Sequence, residues 1–339
     1  MAIDLWALSD HSTPWCLHVA ATLRIADHIA AGRTEIRALA AAANADPESL
    51  GRVLRHLVSN GIFAEPAPGE FALNDAARGL LDGPALLGLD LNGIGGRMAY
   101  AWGTLLSAVK SGKPAYHEVF GRTFWDDLEA NPDVAKSFDK LMGPAGHGVP
   151  DAGVLLDPAD WERIRTVVDV GGGTGTLISE VLRNRPHVRG TLVDLPRVVA
   201  RSAEVFQAAG VADRVESSGQ SFFDPLPAGK DLYLLKNVLG DWPDAEAETI
   251  LRHCAEAARP AGRVVILGGV TPEERADPEL LMLILVGGKN RTLPEFRALA
   301  RAAGLEVCAS GRQPSGRFLV ECRPQGDPPP VSELTAQSS

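Results

Sequence analysis

The amino-acid sequence predicts a doubly wound α/β fold, a mainly parallel sheet with helices on both faces, preceded by a smaller helical domain. Three observations carry this prediction. The β-branched run Thr166–Val170 enters a glycine-rich turn and then an apolar helix; residues 191–194 read as a second strand ending on a carboxylate; and helix, turn, helix and hairpin patterns succeed one another over residues 34–73.

A chain of 339 residues suits two cores better than one. The expected division is a helical dimerisation domain over 1–100, a helical linker and pocket cover over 101–150, a cofactor-binding domain over 151–325 and a disordered tail over 326–339. A hydrophobic fraction of 45% beside 22% charged residues, with mean hydropathy near zero, describes a soluble globular protein. Lys and Arg number 33 against 43 Asp and Glu, and the net charge of -10 argues against nucleic acid and anionic membranes as partners. Cys16, Cys254, Cys308 and Cys322 lack CxxC spacing, so neither a metal site nor a disulfide framework is expected, and a reducing cytoplasm fits. No basic segment leading into an apolar stretch opens the sequence, and no run of 18 apolar residues follows; the expectation is neither secretion nor membrane insertion.

Residues 1–30 carry Trp6, Leu8, Trp15, Leu17, Val19, Leu23, Ile25 and Ile29, more apolar surface than a lone helix needs, which predicts packing against a second subunit. Asp46 is placed to cap a helix beginning at Pro47, with Leu50, Val53, Leu54, Leu57 and Val58 on one face and Gly61 as its stop. Residues 63–73, with Pro66, Pro68 and Gly69 at the centre, read as two short strands joined by a wing. This winged-helix pattern makes a DNA-binding regulator the rival reading. Its candidate recognition helix, however, offers only Arg52, Arg55 and His56 against Glu48, a thin basic face. Further helices are expected over 86–149, where Trp102, Tyr116, Phe120, Phe124, Trp125, Phe138 and Met142 suit either a helix-packing core or a substrate-pocket wall; Trp102, Phe124, Phe138 and Met142 are the pocket candidates. The tail lacks periodicity and contains Pro328-Pro329-Pro330.

The turn at 171–175 follows a buried-strand pattern and precedes Leu177, Ile178, Val181 and Leu182 at helical spacing. Glycines let the backbone turn tightly and approach a nucleotide-like ligand, and the helix start offers free N–H groups. Asp194 lies 23 residues after Gly171, where a carboxylate can accept both hydroxyls of a ribose. Position 176 is Thr rather than the Gly or Ala of a dinucleotide fingerprint; the Asp-x-Gly-x-Gly-x-Gly spacing from Asp169 to Gly175 favours S-adenosylmethionine over NAD.

The run Asp169-Val170-Gly171-Gly172-Gly173-Thr174-Gly175, then Val193-Asp194-Leu195-Pro196, Ser221-Phe222-Phe223-Asp224-Pro225, Lys236-Asn237-Val238-Leu239, Asp241-Trp242-Pro243-Asp244 and Gly287-Gly288-Lys289 with Arg291-Thr292 stand in one order and spacing. In these the chain resembles the S-adenosylmethionine-dependent small-molecule O-methyltransferases, plant caffeate-type enzymes and bacterial relatives acting on polyketides, phenazines and enediyne naphthoates. The resemblance spans nearly the whole chain. It implies a Rossmann-like class I methyltransferase domain behind an α-helical winged-helix dimerisation domain, with the active site between them. It further implies that Gly171, Gly173 and Gly175 lie under the methionine portion, Asp194 holds the ribose, Leu195, Ser221 and Phe222 surround the adenine, Lys236 lines the methionine side and Trp242 stacks near the adenine. Ser221 departs from the Asp frequent in the family, and Asp169 has an equal reading as an organiser of the turn.

The same resemblance exposes a loss. Family members that deprotonate a hydroxyl carry a histidine before the Asp-Trp pair and two supporting acids; here those positions are Gly240, Gly268 and Asn290. A general base contributes about 10²- to 10⁴-fold, whereas positioning is worth on the order of 7 to 11 kcal/mol, so methyl transfer by proximity and orientation survives the loss. Asp241, His117 and His147 are the candidate replacements, and Asp241 adjoins the vacated position. Glycine there also enlarges the pocket, with Gly240 and Asn290 in its wall. The expected reaction is O-methylation of an aromatic or polyketide-like natural product by a homodimer, leaving S-adenosylhomocysteine. Its alternatives are a C- or N-methyltransferase, or a decarboxylase, hydroxylase or cyclase that keeps S-adenosylmethionine as a structural element.

Overall fold

The computed structural model describes residues 3–143 and 153–326. His147 and the expected tail beyond Gly326 lie outside these. The chain divides into two compact units, residues 1–149 and 150–339.

The first unit opens with helices Leu5–Leu8, Ser12–Thr22 and Ile25–Ala30. Ala20, Ala21, Ile25 and Ala26 point into its core, whereas Ile3, Leu5, Trp6 and Leu8 are exposed, Trp6 to 87%. Helices Ile36–Ala42 and Pro47–Ser59 follow. Asp46 caps the second by accepting from the Ser49 N–H at 2.8 Å, with Pro47 as its first residue. Leu50, Leu54 and Leu57 are buried on its inner face, while Val53 and Val58 are only half-buried. The hairpin pairs β1 (Ala64–Ala67) antiparallel to β2 (Glu70–Ala72), and Gly69 takes φ +78° in the turn. Pro66 thus lies inside β1 rather than in the wing between the strands.

Helices Gly83–Leu89, Ile94–Ala101, Leu105–Ser111, His117–Phe120, Phe124–Ala130 and Pro132–Met142 complete this unit. Buried Asp127 holds several of them together: it accepts from Arg97 Nε at 2.7 Å, Tyr116 Oη at 2.8 Å and Asn131 Nδ2 at 2.8 Å. A buried carboxylate needs such partners, and here they come from one helix and from two positions at helix ends.

The second unit is built on a seven-stranded sheet. Its strands are β3 (Thr166–Val170), β4 (Arg189–Asp194), β5 (Val215–Gly219), β6 (Leu232–Lys236) and β7 (Arg263–Leu267), then, past the short parallel pair β8 (Val270–Thr271) and β9 (Arg291–Thr292), β10 (Leu305–Arg312) and β11 (Phe318–Pro324). The order β10-β11-β7-β6-β3-β4-β5 is parallel from β7 to β5 and antiparallel at β10 and β11. β4 starts two residues before the sequence pattern suggests, because Gly190 and Arg189 pair with β3 despite their weak strand character. Successive strand residues face opposite layers. Val168, Val170, Tyr233, Leu235, Val264 and Ile266 pack on helices Asp244–Ala257 and Leu293–Ala302, while Val167, Leu192, Leu234 and Val265 pack on helix Thr176–Asn184. The chain leaves β3 for β4 and β5 on one side and for β6 and β7 on the other, so a crevice opens beyond the carboxyl ends of β3, β4 and β6.

Candidate active site

The glycine turn sits at that crevice. Gly171, Gly173 and Gly175 take φ of +67°, +63° and +85°, a region that side-chain-bearing residues rarely adopt. At three of its positions the approach is also close: a Cβ on Gly171 would lie 2.8 Å from Val238, one on Gly172 2.5 Å from Asp169 Cγ, and one on Gly175 2.5 Å from Phe206. Above Gly173 there is nothing within 4 Å. The turn is thus wedged against the protein on one side and open at Gly173.

Three charged groups surround it. The Asp194 carboxylate at the end of β4 accepts from the Gly173 N–H and the Leu195 N–H, each at 2.8 Å. Burial raises its pKa, against the pull of those two donors. Asp169, fully buried beneath Gly172, has among the described residues no hydrogen-bond partner for either carboxylate oxygen. Burial, reinforced by Asp194 and opposed by Lys236, pushes its pKa up to about 7. Lys236, at the end of β6, is shifted down by burial and by Arg317.

An aromatic wall stands beside the turn. Phe222 approaches the Gly171 position, and Phe222, Phe223 and Trp242 pack edge-on or tilted at centroid distances of 4.9 to 5.8 Å. Ser221 accepts from the Phe223 N–H at 3.1 Å, so its hydroxyl shapes the loop that carries Phe222.

The three positions of the missing base form a second cluster. A Cβ on Gly240 would lie 3.5 Å from Asn290 Oδ1 and 3.7 Å from Gly269, which is ordinary contact. Gly268 differs: its φ is +85° and a Cβ there would overlap Asn237 Oδ1. Asn290 Nδ2 donates to Glu279 Oε1 at 2.8 Å. Asp241 ends the short turn Leu239–Asp241; it is half-buried, and its carboxyl makes no hydrogen bond or ion pair among the described residues. Burial first, and then the Glu279 carboxylate, push its pKa up to about 7. Glu279 escaped the sequence reading because no local pattern marks it; its φ of 45° at the start of helix Leu280–Leu285 places it here.

In the first unit, Phe124 is 3% exposed and packs edge-on against Tyr116, Trp125 and Phe138, a helix-packing position. Trp102 and Met142 are 45% and 41% exposed within the chain. His117 is exposed. Among the described residues no His, Cys, Asp and Glu cluster has the arrangement of a metal site, and no helix is long and apolar enough to cross a membrane.

A glycine turn over an orphaned buried carboxyl, a strand-end Asp tied to that turn and a neighbouring aromatic wall fit a nucleoside with an amino-acid tail. Fold and site together define a nucleoside-cofactor enzyme of the doubly wound class. Comparison sharpens this. Residues 102–306 match the O-methyltransferase domain and residues 6–83 the O-methyltransferase dimerisation domain; the chain belongs to the O-methyltransferase family. It is 41% identical over 313 residues to 2,7-dihydroxy-5-methyl-1-naphthoate 7-O-methyltransferase of Streptomyces carzinostaticus, covering 91% of this chain and 94% of that protein. It is also 40% identical to aclacinomycin 10-hydroxylase RdmB of Streptomyces purpurascens, over 88% of this chain and 82% of that one. Its fold matches the crystal structure of an O-methyltransferase from neocarzinostatin biosynthesis in complex with S-adenosyl-L-homocysteine and 1,4-dihydroxy-2-naphthoic acid, at a TM-score of 0.86 and 38% identity, over 96% of this chain and 99% of that one.

Proposed function

We propose that this protein is a cytoplasmic, homodimeric methyltransferase that carries the methyl group of S-adenosylmethionine to a hydroxyl of an aromatic or polyketide-like natural product. The observation that carries this reading is the Asp194 carboxylate, fixed by the Gly173 and Leu195 N–H groups at 2.8 Å each, with lone pairs left for the two hydroxyls of a ribose. Gly171, Gly173 and Gly175 form the floor for the amino-acid end; Lys236 lines it; Leu195, Ser221, Phe222 and Trp242 enclose the base. Gly240 and Asn290 are assigned to the acceptor.

When bound, the cofactor supplies a methyl group already activated on a positively charged sulfur. What the chain adds is orientation: a hydroxyl oxygen held in line with the methyl carbon at near contact gains most of the acceleration, on the order of 7 to 11 kcal/mol. The glycine at 240 leaves room for a polycyclic acceptor.

A second reading is favoured by the 40% identity to aclacinomycin 10-hydroxylase: the cofactor remains bound and unreacted while another tailoring step proceeds. Incubation with methyl-labelled S-adenosylmethionine and hydroxylated naphthoates, anthracyclines and phenazines separates the two. Label in the product is the outcome expected; an altered product without label would replace the first reading with the second. Calorimetry in which neither S-adenosylmethionine nor S-adenosylhomocysteine binds would end both.

A further inference from the structure

The place left by the family histidine is not chemically empty. Asp241 follows Gly240 directly, and its half-buried carboxyl has no hydrogen-bond donor among the described residues. Gly288 presses on the same turn so closely that any Cβ there would overlap the Gly240 carbonyl oxygen and stand 2.6 Å from the Asp241 carbonyl carbon. The backbone of the Asp241 turn is therefore clamped. Asn290 sits over Gly240 and donates an amide hydrogen to Glu279, which fixes that carboxylate near position 240. The cations on the neighbouring segment are committed elsewhere: Lys289 Nζ and Arg291 Nε both bind Asp244, and the rest of the Arg291 guanidinium donates to the Leu239, Trp242 and Lys289 carbonyls. Among the described residues Asp241 thus has the Glu279 carboxyl acting on it and no positive group bonded to it.

From this geometry we propose that Asp241 is the proton acceptor of the reaction and that Glu279, anchored by Asn290, is its positioning residue, a carboxylate pair standing where the family carries histidine and acids. The inference rests on the methyl-transfer reading. As the acceptor oxygen bonds to the methyl carbon, the S–CH3 electron pair stays on sulfur and the hydroxyl proton passes to an Asp241 oxygen. One positive and one negative charge are lost together, and no further reactant is needed.

The setting suits that task. An ordinary carboxylate is too weak a base for a phenol, but a half-buried one beside a second carboxyl binds a proton more tightly, here with a pKa of about 7. Neutralising Glu279 while keeping its shape relieves the repulsion and lets the Asp241 pKa fall.

The test uses the intact protein with S-adenosylmethionine and a hydroxynaphthoate, in wild type, Asp241→Asn and Glu279→Gln. Glutamine still offers an oxygen to Asn290, so the clamp is kept. In wild type the acid limb of kcat against pH is expected near neutrality. Glu279→Gln is expected to move that limb toward lower pH, and Asp241→Asn to abolish it with a loss of kcat on the order of 10²-fold. Infrared difference spectra between pH 5 and 9 give a readout independent of turnover. A carboxyl band titrating near neutrality should vanish in Asp241→Asn and shift downward in Glu279→Gln, while that of Asp169 stays. An acid limb and a band unmoved in Glu279→Gln, or surviving in Asp241→Asn, overturn the proposal even if methyl transfer proceeds. Bands that behave as expected in an enzyme that transfers no label preserve the titrating pair but refute its role in methyl transfer.

Discussion

Gly240 and Gly268 occupy two positions of one lost constellation, yet they are not equivalent. Gly240 has room, with the nearest atom 3.5 Å from its missing Cβ, whereas Gly268 is held at φ +85° against Asn237. Gly240→His is therefore expected to fold with a melting temperature within a few degrees of wild type. Gly268→Glu should lose about 2 kcal/mol or more through backbone strain and overlap, and thermal melts of the two variants check the contrast. Asp169 offers a pH test with a definite sign. Its folded pKa of about 7 stands above its ordinary value of 3.8. Between those values the unfolded chain has already lost the proton that the folded chain retains, so the residue costs stability progressively as pH rises and nothing below both. Asp169→Asn should raise the melting temperature of the cofactor-free protein at pH 8 by several degrees, the gain shrinking as pH falls toward 4; melts across that range measure it. Asp194→Asn should lower affinity for S-adenosylhomocysteine at least tenfold, since it puts a donor where two N–H donors already point; calorimetry reads that loss.

At the scale of elements, the glycine turn is the most constrained segment of the second unit. Gly172→Ala would place a methyl 2.5 Å from Asp169 and 2.6 Å from Leu192. The turn must shift, and loss of S-adenosylhomocysteine binding with a destabilisation of about 1 to 3 kcal/mol is expected from calorimetry and denaturant melts. β3, this turn and helix Thr176–Asn184 were legible in the sequence because each obeys a local rule: β-branched run, glycines, apolar residues at helical spacing. The helix Pro47–Ser59 was legible for the same reason, through Asp46, Pro47 and its leucines. Pro66 misled, since proline usually marks a turn; it is accommodated in β1 of a two-stranded ribbon, where a strand edge needs no donor from it.

At the scale of the whole molecule, the exposed side chains of Ile3, Leu5, Trp6 and Leu8 form an apolar segment on the first unit, the part of the chain that matches the family's dimerisation domain. If a second copy covers it, the double variant Trp6→Glu, Leu8→Glu will sediment as a monomer at concentrations where wild type sediments as a dimer, with the fold of each unit unchanged by circular dichroism. The sequence by itself determined the α/β class, the strand, turn and helix that open the second unit, the carboxylate at 194 and the family resemblance, because these depend on neighbours in the chain. It also located the vacated positions 240, 268 and 290. Only the tertiary structure decided what stands around them: that Gly268 is locked in a left-handed turn, that Asn290 binds Glu279, and that the Asp241 carboxyl, under the influence of Glu279, has no bonded partner among the described residues. Those facts come from residues up to 38 positions apart meeting near the ends of β6 and β7, and electrostatics through space follows distance in the fold rather than distance along the chain.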